Sequence, residues 1–205
     1  MKQLLITFAL LCLLAPRANA QSSVGVKADA NLSRFFINEA AHLSSSKKAG
    51  GSAGYFYQYK WRESKAVQAD MMLRYRTSKI ENHNIGETAD YSYWGVELPV
   101  YSLLQAEIDE QKLFMGIGPF ASFGMYSRFV SDSQNLNPYH QNQSGNKSIM
   151  HRWDFGMGFI VGYELKNHLQ FNFNFQMGFR NLVDEGFEGV DMISQLVGLG
   201  VGYSF

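Results

Sequence analysis

The chain has almost no cysteine. Its single one, Cys12, lies inside an N-terminal apolar stretch. Beyond that stretch there can be no disulfide, no thiolate chemistry and no cysteine-based metal site. An excess of either charge is also missing: 18 Lys and Arg balance 18 Asp and Glu over 205 residues. Nothing in that balance points to nucleic acid. Past the N-terminus no apolar run approaches the length of about 20 residues that a spanning helix needs. A mean hydropathy of −0.19 looks soluble, but barrel strands are half polar and hide from that index.

Residues 1–20 read as a secretory signal peptide. Lys2 gives a positive start, Leu4–Leu14 an apolar core, and Ala18-Asn19-Ala20 a small-residue cleavage site. The exported domain is then 21–205, and losing Lys2 and Arg17 leaves it a net charge of about −2. Cys12 sits too early in the apolar run for a lipoprotein attachment site.

What is present is alternation. In His168–Arg180 (HLQFNFNFQMGFR) every odd position from Leu169 to Phe179 is large and apolar, and the even ones are amide, glycine or arginine. Period 2 is a strand signal, because successive side chains point to opposite faces. The same signal recurs in Val24–Leu32, Gly51–Trp61, Val67–Arg76, Tyr91–Leu104, Leu113–Arg128, Trp153–Leu165 and Ile193–Phe205. Eight such segments, joined alternately by short and long connections, predict an all-β fold. It is an eight-stranded antiparallel up-and-down transmembrane barrel, apolar outside and polar within. Ser33–Gly50, Thr77–Asp90, Phe129–Arg152 and Asn181–Met192 are expected outside the cell. Arg62–Ala66, Gln105–Lys112 and Lys166–His168 are expected on the periplasmic side. Tyr57, Tyr59, Trp61, Tyr163, Tyr203 and Phe205 fall near one set of strand ends, and Trp94, Trp153 and Phe179 near the other, as two interfacial girdles would.

The inward faces carry Lys27, Lys60, Arg74, Arg76, Arg128 and Arg180 against Asp29, Asp70, Glu97, Asp154 and Glu164. So balanced a set in a narrow lumen is expected to pair internally and close it. Its heart is taken to be Lys27, Asp29, Asp70, Arg74, Arg76, Glu97, Asp154 and Arg180. Met72 is expected opposite Glu97, with Arg74 as diagonal neighbour. An ion-selective pore would show an excess of one sign.

With the strands laid out, the chain resembles the PorT-like outer-membrane barrel proteins of Bacteroidetes. The resemblance runs from GVKADANLSRF (Gly25–Phe35) through GYFYQYKW (Gly54–Trp61), VELPV (Val96–Val100), FMGIGPFASF (Phe114–Phe123) and FGMGFIVGYEL (Phe155–Leu165) to GLGVGYSF (Gly198–Phe205). Glu97-Leu98-Pro99 and Gly118-Pro119 are its most specific pieces. It implies an outer-membrane location and, for the family's namesake, a part in protein export by the type IX secretion system. Partners would be outer-membrane lipid, secretion-system proteins and the barrel-assembly machinery. The last would read the C-terminal end at Tyr203 and Phe205. The resemblance brings no catalytic residues and no cofactor.

Two other classes compete. One is a surface adhesion barrel working through Phe129–Arg152. The other is a lipid A-modifying barrel enzyme, similar only in a His-x-Ser pair, His42-Leu43-Ser44. His83, His140, His151 and His168 lack the spacing of a metal pair, and Glu107, Asp109 and Glu110 read as a soluble turn. Asn31, Asn142 and Asn146 head glycosylation sequons that bacterial export makes chance matches. The chain is therefore expected to be non-enzymatic.

Overall fold

The computed structural model describes residues 21–38, 43–82, 87–131, 135–139, 150–183 and 191–205. The expected signal peptide at 1–20 lies outside them. The strands are β1 (Ser22–Asn38), β2 (Leu43–Arg62), β3 (Lys65–Asn82), β4 (Glu87–Ile108), β5 (Gln111–Ser131), a two-residue β6 (Asn135–Leu136), β7 (Trp153–Glu164), β8 (Leu169–Gly178) and β9 (Asp191–Ser204). Eight long strands form one antiparallel ring, closed between β1 and β9. The short β6 lies against the outer end of β5.

Burial is inverted relative to a soluble protein. Leu199 and Ile117 are 68% and 58% exposed, while Glu97 and Arg74 are 1% and 2% exposed. The outward positions of β7 and β8 are apolar throughout: Phe155, Met157, Phe159 and Val161, then Phe171, Phe173, Phe175 and Met177. Water would not tolerate so continuous an apolar wall. Hydrocarbon would, because every ladder hydrogen bond is satisfied within the ring.

Three corrections to the sequence reading have physical causes. First, Ser33–Gly50 and Thr77–Asp90 are mostly strand, since β1 and β2 run to Asn38 and from Leu43, and β3 and β4 run to Asn82 and from Glu87. Beyond the lipid belt the outer face of a strand meets water and turns polar, so the ladder continues while the alternation fades, as in Ser44-Ser45-Ser46-Lys47-Lys48. Second, Gln105–Lys112 contracts to a turn centred on Asp109 and Glu110, at φ 51° and 65°. That is the left-handed pair a two-residue hairpin demands. Third, Arg128 does not enter the lumen. The pairs Trp94–Tyr126 and Gly95–Gly124 leave Met125 as an extra residue in β5. A one-residue bulge flips every later side chain to the other face, and Arg128 is exposed on the outside.

The turns after β2, β4 and β7 and both ends of the described chain share one rim of the ring. The longer connections share the other. Single cysteines at Ser46 and Ser64 test which rim is outside, since the described residues hold no cysteine of their own. With an impermeant reagent on intact cells, Ser46→Cys should label and Ser64→Cys should not. The reverse pattern would invert the topology.

Candidate functional site

The site is the filled lumen, built in three layers. At the turn rim Ala66, Tyr101, Leu103, Phe114 and Ile160 form a buried apolar plug. Their strands leave room for it through inward glycines. A Cβ at Gly162 would lie 2.2 Å from the Phe114 ring, and one at Gly116 2.3 Å from Leu103. Below the plug Glu164 receives Lys112 at 2.9 Å and the amide of Gln170 at 2.7 Å.

The middle layer is charged. Register places Met72 opposite Glu97, two residues from Arg74. The Arg74 guanidinium reaches Glu97 at 2.8 Å and Asp29 at 3.2 Å. Arg76 closes on the other Glu97 oxygen, and Gln176 donates its amide to Glu97 at 2.7 Å. Asp29 also accepts from Ser52 at 2.5 Å. Lys27 pairs with Asp70, which accepts from Gln68 at 2.8 Å. Asp154 stands 3.9 Å from Arg76 and accepts from Ser194. Seven of the eight residues expected at the heart of the lumen are thus joined in these clusters. Arg180 stands apart, half-buried just past the end of β8 at Gly178. Lys60 instead meets Glu107 at 3.4 Å on the turn rim. Replacing one member of such a network takes a counter-charge from partners that stay buried.

The third layer caps the other end. Phe35, Tyr91, Tyr93, Tyr139, Met150, Leu182, Val183 and Met192 cluster there. Sequence alternation marks only the strand residues of this cap. Tyr139, Leu182 and Val183 come from connections, where no period exists to expose them. The local signal is asparagine. The Asn137 side chain accepts from Tyr139 N at 3.0 Å, and Asn181 accepts from Val183 N and Met192 N at 3.0 Å each. Such side-chain turns hold a loop where no ladder does. Arg152 stacks its guanidinium over the Tyr139 ring at 5.2 Å. Burial, followed by the neighbouring Tyr91 and Tyr93, holds the Tyr139 phenol above its ordinary pKa.

Gly124 makes the cap testable. The three heavy atoms nearest a Cβ there all belong to Tyr139, the hydroxyl at 2.2 Å. Gly124→Leu should expel the ring while leaving the ladder intact. Ser78, 1% exposed and lining the small cavity under Tyr139, then reports the opening. In a Ser78→Cys background the labelling rate should rise about tenfold or more on adding Gly124→Leu, equal to about 1.4 kcal/mol of lost protection. An unchanged rate would show that Tyr139 does not seal this end.

Among the described residues no side chains form a catalytic constellation. His42 lies outside the described residues, as do His83 and His140. His151 is half-buried beside the cap, and His168 lies 3.8 Å from Glu164 in a rim turn. Among the described residues no three His, Cys, Asp or Glu stand close enough to hold a metal. Asp109 and Glu110 make the hairpin turn, with Glu110 3.6 Å from Lys166.

A closed ring of eight antiparallel strands, apolar outside and polar within, defines a small outer-membrane β-barrel. The chain belongs to the outer membrane protein beta-barrel domain family, which matches residues 18–184. No curated protein matches it. Among solved structures it is similar to Ail, the attachment invasion locus protein of Yersinia pestis, at 14% identity and a TM-score of 0.48, covering 90% of this chain and 99% of that one. Neisserial surface protein A is similar at 13% and 0.47, over 90% and 99%. OprG of Pseudomonas aeruginosa is similar at 11% and 0.47, over 91% and 96%.

Proposed function

We propose that the protein is a closed, non-enzymatic outer-membrane barrel that acts through its two rims, as an accessory to protein secretion or to envelope structure. The observation carrying this is the filled lumen. An apolar plug, a paired charge layer and an aromatic cap succeed one another along the axis. A pore with so many buried, mutually paired charges would have no path for an ion. Work is then left to the rims. The signal-like N-terminus and the motifs shared with PorT-like barrels, Val96–Val100 and Phe114–Phe123 above all, favour the secretory role. In this reading the long-connection rim faces outward, and secretion-system proteins and the assembly machinery are the partners.

Deleting the gene and scoring surface delivery of secreted proteins tests the proposal. Delivery should fall, and the wild-type chain should restore it. Normal delivery with impaired attachment of the cells to surfaces would favour adhesion and overturn the secretory role.

A further inference from the structure

We infer that the chamber between the charge layer and the cap is a binding site for ordered water, which ties the Tyr139 seal to the buried charges. The chamber has a volume of about 30 Å³. Arg76 and Asp154 of the charge layer meet it from one side and Tyr139 of the cap from the other, with Ser78 and Tyr93 between them. Backbone register sets this grouping. Arg76 pairs with Tyr93 across β3 and β4, and Ser78 with Tyr91 in the next inward row. Asp154 comes in from β7, opposite Ser122 of β5.

Four buried atoms on this lining have no hydrogen-bond partner among the described residues: Arg76 Nε, Ser78 Oγ, Tyr93 Oη and Asp154 Oδ1. Their residues are at most 7% exposed, so bulk water does not reach them. The neighbouring atoms of the two charged groups are already engaged. Arg76 closes on Glu97 through its terminal nitrogen, and the other Asp154 oxygen accepts from Ser194. Folded interiors leave few polar groups unpaired, and four around one small chamber call for a common partner.

The chemistry of the four specifies that partner. Arg76 Nε only donates, an ionised Asp154 Oδ1 only accepts, and the two hydroxyls do either. A bare cation would be set against the guanidinium, and a bare anion against the carboxylate. A neutral molecule that donates and accepts at once serves both. Size completes the assignment. One water needs about 10–15 Å³ of such space, so the chamber holds about two. The opposite end of the lumen gives the contrast. None of the unpartnered buried atoms belongs to Ala66, Tyr101, Leu103, Phe114 or Ile160. Water is therefore held beneath the cap and excluded at the apolar plug. Two ordered molecules are not bulk solvent, and the lumen stays closed to ions. The site is the same whichever rim faces outward.

Radiolytic hydroxyl-radical footprinting of the purified exported chain in detergent micelles tests the site, because a bound water split by the X-ray pulse oxidises the side chains beside it. Phe35 lines the chamber at 6% exposure, and Phe114 stands in the plug at 4%. Chemistry is identical and burial nearly so, yet Phe35 should be oxidised about tenfold faster or more. Ser78→Val removes the hydroxyl and should slow oxidation of Phe35 by about two- to tenfold, the worth of one hydrogen bond. Ser78→Thr has the shape of the valine variant but keeps the hydroxyl, and should retain the wild-type rate. Exposed Trp61, on the other rim, should be oxidised alike in all three. Heat-modifiable gel mobility would verify folding, and the wild-type comparison of Phe35 with Phe114 decides alone if Ser78→Val does not fold. Equal rates at Phe35 and Phe114 would overturn the inference. So would equal Phe35 rates in folded Ser78→Val and Ser78→Thr, because the radicals would then come from bulk water passing the cap.

Discussion

Glu97→Ala should lower the unfolding free energy of the barrel by about 3–5 kcal/mol, the range for stranding a buried charge partner. Glu97 is shared by two buried guanidinium groups, Arg74 and Arg76. Removing it leaves Arg74 to Asp29 at 3.2 Å and brings no described carboxylate nearer to Arg76 than Asp154 at 3.9 Å. Arg74→Ala should cost less. Glu97 then keeps Arg76 and Gln176, and Asp29 keeps Ser52. The double change should cost less than the sum of the single ones, by about 1–3 kcal/mol, because the second deletion removes a charge the first had stranded. Glu97→Gln keeps the shape and loses the charge, so it separates packing from electrostatics. Urea unfolding in lipid vesicles, followed by heat-modifiable mobility, measures all four. Additive effects, or a Glu97→Ala loss below about 0.5 kcal/mol, would mean that the lumen is wet enough to screen these groups.

The pair behind this prediction was legible in sequence, and the reason is specific. Both strands alternate strictly from Leu73 to Arg76 and from Trp94 to Leu98. The lipid belt tolerates no slip of one residue there, so Met72 had to face Glu97 once the hairpin was drawn. Legibility stopped where one of two conditions failed. At Met125 the alternation itself breaks, with Met125 and Tyr126 both large and Ser127 polar, and there the backbone inserts a bulge. A reading that carries period 2 unbroken through Arg128 puts it on the wrong face. At Ser44–Lys48 and at Thr77–Asn82 the strand goes on where its outer face is polar as well, as at Thr77, Lys79 and Glu81, so the period disappears and the segments look like loops. The cap was hidden for a third reason. Tyr139, Leu182 and Val183 are held by asparagine side chains and by glycine-shaped space, which are local devices without a repeat. The central network could thus be read from sequence, and its seal could not.

Removing Phe205 should cut membrane-inserted protein in cells by about tenfold, while the purified variant refolds into detergent almost as well as wild type. The structure makes the contrast sharp. Phe205 is 74% exposed on the outer wall, and its amide donates one hydrogen bond, to Val24 O at 2.7 Å. Its ring meets Tyr203 edge-on at 5.6 Å. One backbone hydrogen bond contributes about 0.5–1.5 kcal/mol net. The β1–β9 seam is long, its register running from Gly25–Ser204 to Asn38–Asp191, so its loss at one end is minor. A tenfold fall in cells therefore cannot come from equilibrium stability alone. It requires that the exposed Tyr203–Phe205 end be recognised during assembly, which is the proposed role of these two residues toward the barrel-assembly machinery. Phe205→Tyr should retain assembly, because an aromatic end remains, and Phe205→Ser should behave as the deletion. Quantifying heat-modifiable protein in outer-membrane fractions, beside refolding yield in vitro, separates the two causes. Parallel loss in both measurements would make Phe205 a structural staple of the seam. Unchanged assembly of the truncated chain would remove the recognition role altogether.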